Sequence, residues 1–202
     1  MKTPGGPILV LGSGPIRIGQ AAEFDYSGSQ ACRALREMGY HVILLNSNPA
    51  TIQTDTAMAD VVYIRPLEAE VVERILATHR PSGVIATLGG QVALNLCVEL
   101  QRRGLWERFG VEVLGTSPRS VQRSEGREDF RQAMLGISEP VIESIYVDNV
   151  ESALQFASVS SFPFIIRPDY TLGGTGGGVA FDPDSLAERF AEGLRLSSVW
   201  RV

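Results

Sequence analysis

The chain has 202 residues, 44% of them hydrophobic and 20% charged, a balance that excludes a disordered polypeptide and allows one or two packed cores. Net charge is −5 with no dense block of lysine or arginine, which argues against a general nucleic-acid binder. The longest apolar runs are only a few residues, far short of a membrane span.

In chain order, the opening MKTPGGPILV lacks the apolar stretch of an export signal, so a cytoplasmic protein is expected. Pro7 to Leu11 (PILVL) is a short apolar run ending at Gly12, the pattern of a buried parallel strand. Ser29 to Met38 carries apolar residues at helical spacing and closes on Gly39. HVILLNSNP reads as a second strand stopped at Asn48-Pro49, and Asp60 to Ile64 as a third. A helix over Glu70 to His79, a strand at GVIAT, a GGQ turn, a helix over Val92 to Arg103 and a strand in VEVLGTSP complete the series. Strands alternating with helices of this length predict a doubly wound parallel sheet, a Rossmann-like domain over residues 1–117.

From residue 118 the pattern becomes α+β. Pro118 to Met134 predicts two short, charged helices, and Ser144 to Val147 a strand. Asp148 and Glu151 have capping-box spacing at the start of a helix running to about Ser158. Phe162 to Arg167 and Gly178 to Phe181 read as strands joined by a glycine-rich loop, and Asp182-Pro183 opens a last helix with proline at its first position. Cys32 and Cys97 are far apart, each in a helix-like apolar pattern, and are expected to be buried free thiols.

The stretch after the first strand, VLGSGPIRIGQ, invites comparison with a dinucleotide fingerprint, G-x-G-x-x-G opening a helix. Gly12 and Gly14 fit, but Arg17 stands at the third position, the predicted helix begins only near Ser27 to Ser29, and the second strand ends in Asn46 instead of an acid. Three requirements fail together, which argues against NAD. The intervening loop carries Arg17, Gln20, Glu23 and Asp25 at the carboxyl edge of the predicted sheet, where such folds place ligands.

RPDYTLGGTGGG, Arg167 to Gly178, packs five glycines into six positions around Thr175. It lacks the Gly-Lys-Ser/Thr ending of a P-loop, and a strand follows it, so no helix terminus grips a phosphate there. A glycine hairpin offers unobstructed backbone N–H groups that can close over a triphosphate, and Arg167 at its mouth adds a planar cationic fork. The same sequence also suits a plain surface hairpin.

GPIRIGQAAEFDYSGSQACRALREMGYHVILLNSNPATIQTD resembles the opening of the carbamoyl-phosphate synthetase large-subunit family, and TLGGQVALN, Thr87 to Asn95, is similar to a further segment of it. The resemblance runs over residues 8 to about 196. It implies a pre-ATP-grasp domain over 1–117 followed by the first part of an ATP-grasp domain over 118–202. It implies ATP contacts at Arg127, in SEGREDFRQAM, and at Arg167, Gly173 and Gly174, and a place for Glu23 along an interior passage carrying carbamate. Read on its own, Arg127 is a solvated helix charge, and Glu23 is a loop carboxylate held by backbone amides. Asp169, an acid beside a phosphate loop, departs from what a triphosphate favours.

The resemblance also implies a reaction: ATP phosphorylates bicarbonate, ammonia from a small glutaminase subunit converts the carboxyphosphate to carbamate, and a second ATP makes carbamoyl phosphate for arginine or pyrimidine synthesis. In that family the adenine pocket and magnesium ligands lie well downstream of the glycine loop, whereas this sequence ends 24 residues after Gly178. The expectation is therefore an amino-terminal fragment, inactive alone, whose partners are the remainder of the large subunit and the glutaminase, with neither nucleic acid nor membrane. The competing reading is a non-catalytic scaffold that keeps only the Rossmann-like half.

Overall fold

The computed structural model describes residues 5–15, 23–168 and 176–196. The chain divides into two compact units, 1–121 and 122–202.

The first unit is a five-stranded parallel sheet. Its strands are β1 (Ile8–Leu11), β2 (Val42–Asn46), β3 (Val61–Ile64), β4 (Gly83–Ile85) and β5 (Glu112–Leu114), in spatial order β3-β2-β1-β4-β5. Parallel neighbours cannot be joined by tight turns, so each return runs through a helix or a long connection. These returns include α1 (Glu23–Glu37), α2 (Ala69–His79), α3 (Gly90–Arg102) and the short α4 (Leu105–Phe109).

β1 is apolar throughout, and β2 is apolar up to its last residue, Asn46, because both sheet faces are covered. Leu9, Leu11, Ile43, Leu45 and Val84 pack against α2, α3 and α4, while Val10, Val42 and Leu44 pack against Cys32 and Leu35 of α1. Sequence reading missed α4. It is a five-residue helix, LWERF, between Gly104 and Gly110, both at φ +66°, and it buries Trp106, whose indole N–H donates to the Cys97 carbonyl at 3.1 Å.

α1 begins at Glu23, four to six residues ahead of the position the sequence pattern predicts. EFDYSGS is poor in strong helix formers and holds a glycine, so local propensity hides the start. In the fold, Gly28 is helical and buried, and a Cβ there would lie 2.9 Å from Gln53 Cδ. That glycine marks a close approach, not a helix end.

The second unit holds α6 (Arg127–Gly136), α7 (Val150–Ser158), the antiparallel pair β6 (Phe164–Ile166) and β7 (Gly178–Ala180), and α8 (Pro183–Leu196); α5 (Pro118–Glu125) spans the division. Its core is Ala153, Ala157, Ile166, Ala180, Leu186 and Phe190. The strand predicted at Ser144 to Val147 does not form: those residues have no ladder partner, and Ile145 is 41% exposed. Apolar alternation needs a neighbouring strand before it becomes β-structure.

The cap of α7 also differs from expectation. Asn149, not Asp148, accepts the Ser152 N–H at 2.8 Å, and Asp148 instead accepts from the Asn149 side chain at 2.9 Å. At α8 the cap is reciprocal: Asp182 accepts the Ser185 N–H at 2.7 Å, and Ser185 Oγ accepts the Asp182 N–H at 3.2 Å. Hydrogen bonding from Ser185, its backbone N–H first, favours the ionised carboxylate and holds Asp182 below its ordinary pKa.

Both cysteines are free and buried, as expected, and burial pushes each thiol from 9.0 up to about 11. The neutral thiol is the form the fold accepts, so this contribution to stability is intact below about pH 9 and is lost as pH rises toward 11. At pH 8 the folded chain should resist an aromatic disulfide reagent that titrates both thiols in urea. The urea midpoint should fall between pH 9 and 11, and fall less in a Cys32→Ala/Cys97→Ala chain.

Candidate functional site

The carboxyl edge of the parallel sheet is where the fingerprint-like glycines fall, and side chains fill it. Asn46, the last residue of β2, is wholly buried; its Nδ2 donates to Gln53 Oε1 at 2.5 Å and its Oδ1 accepts the Asn48 N–H at 3.0 Å. Asn46 therefore occupies the place of a ribose-binding acid but spends its hydrogen bonds inside the protein. Gly12 is glycine for the same reason: a Cβ there would sit 2.7 Å from Asn46 Nδ2 and nearer still to the Gln53 carboxamide. The Cβ side of Gly12 is taken up by these two amides.

All five buried polar residues among those described, Ser13, Ser29, Asn46, Gln53 and Thr54, gather at this edge. Ser13 Oγ donates to Asp25 Oδ1 at 2.8 Å, tying the strand end to the first turn of α1, and within the helix Ser29 Oγ donates to the Asp25 carbonyl at 2.6 Å. Glu23 is the first residue of α1 and is exposed, so it is a helix-start carboxylate and not the loop residue its sequence suggests. Arg17 and Gln20 lie outside the described residues.

In the second unit, β6 and β7 form the stem of a hairpin in register Phe164↔Ala180, Ile165↔Val179 and Ile166↔Gly178. The stem encloses the glycine-rich loop; Asp169, Gly173 and Gly174 lie outside the described residues. Alternation along the stem sends Ile166 and Ala180 into the core and leaves Ile165 71% and Val179 39% exposed on the opposite face. Arg167 follows β6 directly and is exposed. Arg127, the first residue of α6, donates from Nε to the carbonyl of Pro168 at 3.3 Å. The fold thus brings Arg127 to the residue beside Arg167, across 41 positions of sequence, at the root of the glycine loop.

This arrangement joins two cations and an exposed apolar strand face at a glycine hairpin. Among the described residues no group of three or more His, Cys, Asp and Glu converges as a metal site. Sequence reading had no place for the Ile165 and Val179 face or for Gln53. FPFIIR carries the first as strand alternation. Gln53 left no local signal, since its neighbours come from β1 and α1.

A doubly wound domain followed by a glycine hairpin on an α+β unit is the architecture of the ATP-grasp ligases. The biotin carboxylase domain of Hydrogenobacter thermophilus 2-oxoglutarate carboxylase, solved with MgADP, ADP and bicarbonate, superposes with a TM-score of 0.70 over 94% of this chain and 41% of its own, at 15% identity. Biotin carboxylase from Campylobacter jejuni, solved as a β-γ-ATP complex, gives 0.67 over 95% and 42%, at 14% identity.

Sequence comparison is more specific. Residues 5–123 match the carbamoyl phosphate synthase preATP-grasp domain, and residues 126–200 match the carbamoyl-phosphate synthase L chain, ATP binding domain. The chain belongs to the carbamoyl phosphate synthase large-chain family. It is 55% identical over 195 residues to the large chain of Caldanaerobacter subterraneus subsp. tengcongensis, covering 96% of itself and 18% of that protein. It is 53% identical to the "large chain, N-terminal section" of Methanopyrus kandleri, of which it covers 35%. The chain therefore spans about a fifth to a third of the length of these relatives.

Because Gly12 is held against packed amides, Gly12→Ala should lower the stability of the chain by about 1–3 kcal/mol, the range for forcing an extra methyl into a filled core. Urea denaturation followed by circular dichroism checks this.

Proposed function

We propose that this chain is the amino-terminal portion of a cytoplasmic carbamoyl phosphate synthase large chain and supplies one wall of its first ATP site. The observation that carries the reading is the Arg127 to Pro168 hydrogen bond, which brings Arg127 to the residue after Arg167 at the root of the glycine loop. A guanidinium is charged at every working pH and meets phosphate oxygens with a planar fork. Backbone N–H groups of Gly173 and Gly174 would complete a cover over the triphosphate. The exposed Ile165 side chain of β6, two residues before Arg167, suits a purine ring.

In the reaction we infer, a bicarbonate oxygen attacks the γ-phosphorus of ATP and ADP departs, leaving carboxyphosphate. Ammonia, released from glutamine by a small glutaminase subunit, attacks the activated carbon; phosphate leaves and carbamate remains. A second ATP then phosphorylates carbamate to carbamoyl phosphate. Bicarbonate is a poor electrophile until one oxygen becomes a phosphate leaving group, and both intermediates hydrolyse in water, so the site must be closed. Magnesium, when bound, neutralises the phosphates. The described residues offer it no ligand cluster, and we place its ligands in sequence that the longer relatives possess beyond this segment. Glu23 we assign to the passage that carries carbamate onward.

Titration calorimetry with ATP and magnesium tests the nucleotide wall. The chain should bind ATP, and Arg127→Ala or Arg167→Ala should weaken binding at least about 10-fold, the loss expected for one charge-assisted phosphate contact. Absence of heat, with capture of a glutaminase subunit retained, would favour the scaffold reading. The chain alone should make no carbamoyl phosphate. In a large chain carrying this segment and joined to its glutaminase, Glu23→Gln should leave bicarbonate-dependent ATPase intact and lower carbamoyl phosphate formed per ATP consumed. An unchanged ratio would remove Glu23 from the passage.

A further inference from the structure

Gln53 is the most confined polar side chain in the first unit. It lies in a one-turn 3-10 segment, Ile52–Thr54, well removed in sequence from everything its carboxamide touches except Asn46. Its surface is wholly buried, its Oε1 accepts from Asn46, and its Nε2 has no hydrogen-bond partner among the described residues. A buried, unmatched amide N–H is costly and rare in protein interiors.

Two glycines face this carboxamide from opposite sides. Gly12 closes the end of β1, and Gly28 lies in the second turn of α1; at either one, a Cβ would run into Gln53. The amide is therefore a wedge between the strand and the helix, aimed by its bond to Asn46. Gly28 lies five residues after Glu23 in an unbroken helix, so the wedge sets the seat of the helix start. The Ser13 to Asp25 bond pins the same turn from the other side.

We propose that Gln53 is a positioning residue for Glu23: its carboxamide, held by Asn46 and fitted between Gly12 and Gly28, fixes where the first turns of α1 present their carboxylates. The relevance of that position to carbamate rests on the role proposed above for Glu23, but the geometry is measurable without it.

The test is a distance measurement on this chain. Nitroxides are placed at Glu23→Cys and at Arg65→Cys, which is exposed just beyond β3; the buried, protonated Cys32 and Cys97 stay unlabelled. Pulsed electron resonance should give one narrow distance with Gln53 in place. Gln53→Ala should broaden it, and Gly28→Ala should displace it. Combining the two should restore a single narrow distance, and the effect of Gly28→Ala on the urea midpoint should change from a decrease to an increase once the carboxamide is gone. Gln53→Met, which fills the space without the amide, guards against loss of folding and should also broaden the distance. Wild-type distance distributions in folded Gln53→Ala and Gln53→Met chains would overturn the proposal, as would a Gly28→Ala penalty indifferent to Gln53. Since this readout involves no carbamate, failure of the Glu23→Gln coupling experiment leaves it standing, and its own failure leaves that experiment untouched.

Discussion

Parallel strands impose one constraint from which the rest of the first unit follows. Every strand must be re-entered from the same end, so all chain reversals after the strands collect at the carboxyl edge of the sheet. In this protein that edge receives Gly12 to Gly14, the end of β2 at Asn46, and the Gly89-Gly90 start of α3. Such a concentration of turns with little side-chain bulk is how a doubly wound domain makes room for a ligand. Here much of the room is taken by the protein's own Asn46 and Gln53 amides.

That substitution explains why the opening resembles a nucleotide fingerprint and fails as one. A glycine is silent about what approaches it, whether pyrophosphate or a neighbouring carboxamide; only the coordinates identify the neighbour. The second glycine-rich stretch belongs to the second unit instead. There the glycines sit between antiparallel strands, and the cations come from the strand end and from the start of α6. The first of the two glycine-rich stretches thus closes a core.

The second unit also shows what an exposed face means on a two-stranded sheet. One side of β6 and β7 is sealed by α7 and α8 through Ile166, Ala180, Leu186 and Phe190, while Ile165 and Val179 face outward beside Arg167. An apolar strand face flanked by a fixed cation suits a ligand with a flat ring and a charged tail. The longer relatives carry sequence beyond the segment matched here.

The sequence by itself determined the strand–helix alternation, the buried cysteines and the hairpin around the glycine loop. These are local signals: periodicity, caps, and spacing along a few turns of chain. Family membership was also legible, because runs such as NSNPATIQTD are long enough to be specific. Tertiary structure alone decided that α1 starts at Glu23 despite a weak helical sequence, since Gly28 is chosen by Gln53 across the fold and not by propensity. It decided that Ser144 to Val147 stays outside any sheet, since a strand exists only when another offers a ladder. And it placed Arg127 beside Pro168, because a contact spanning 41 residues is carried by packing and leaves no periodic trace in the chain.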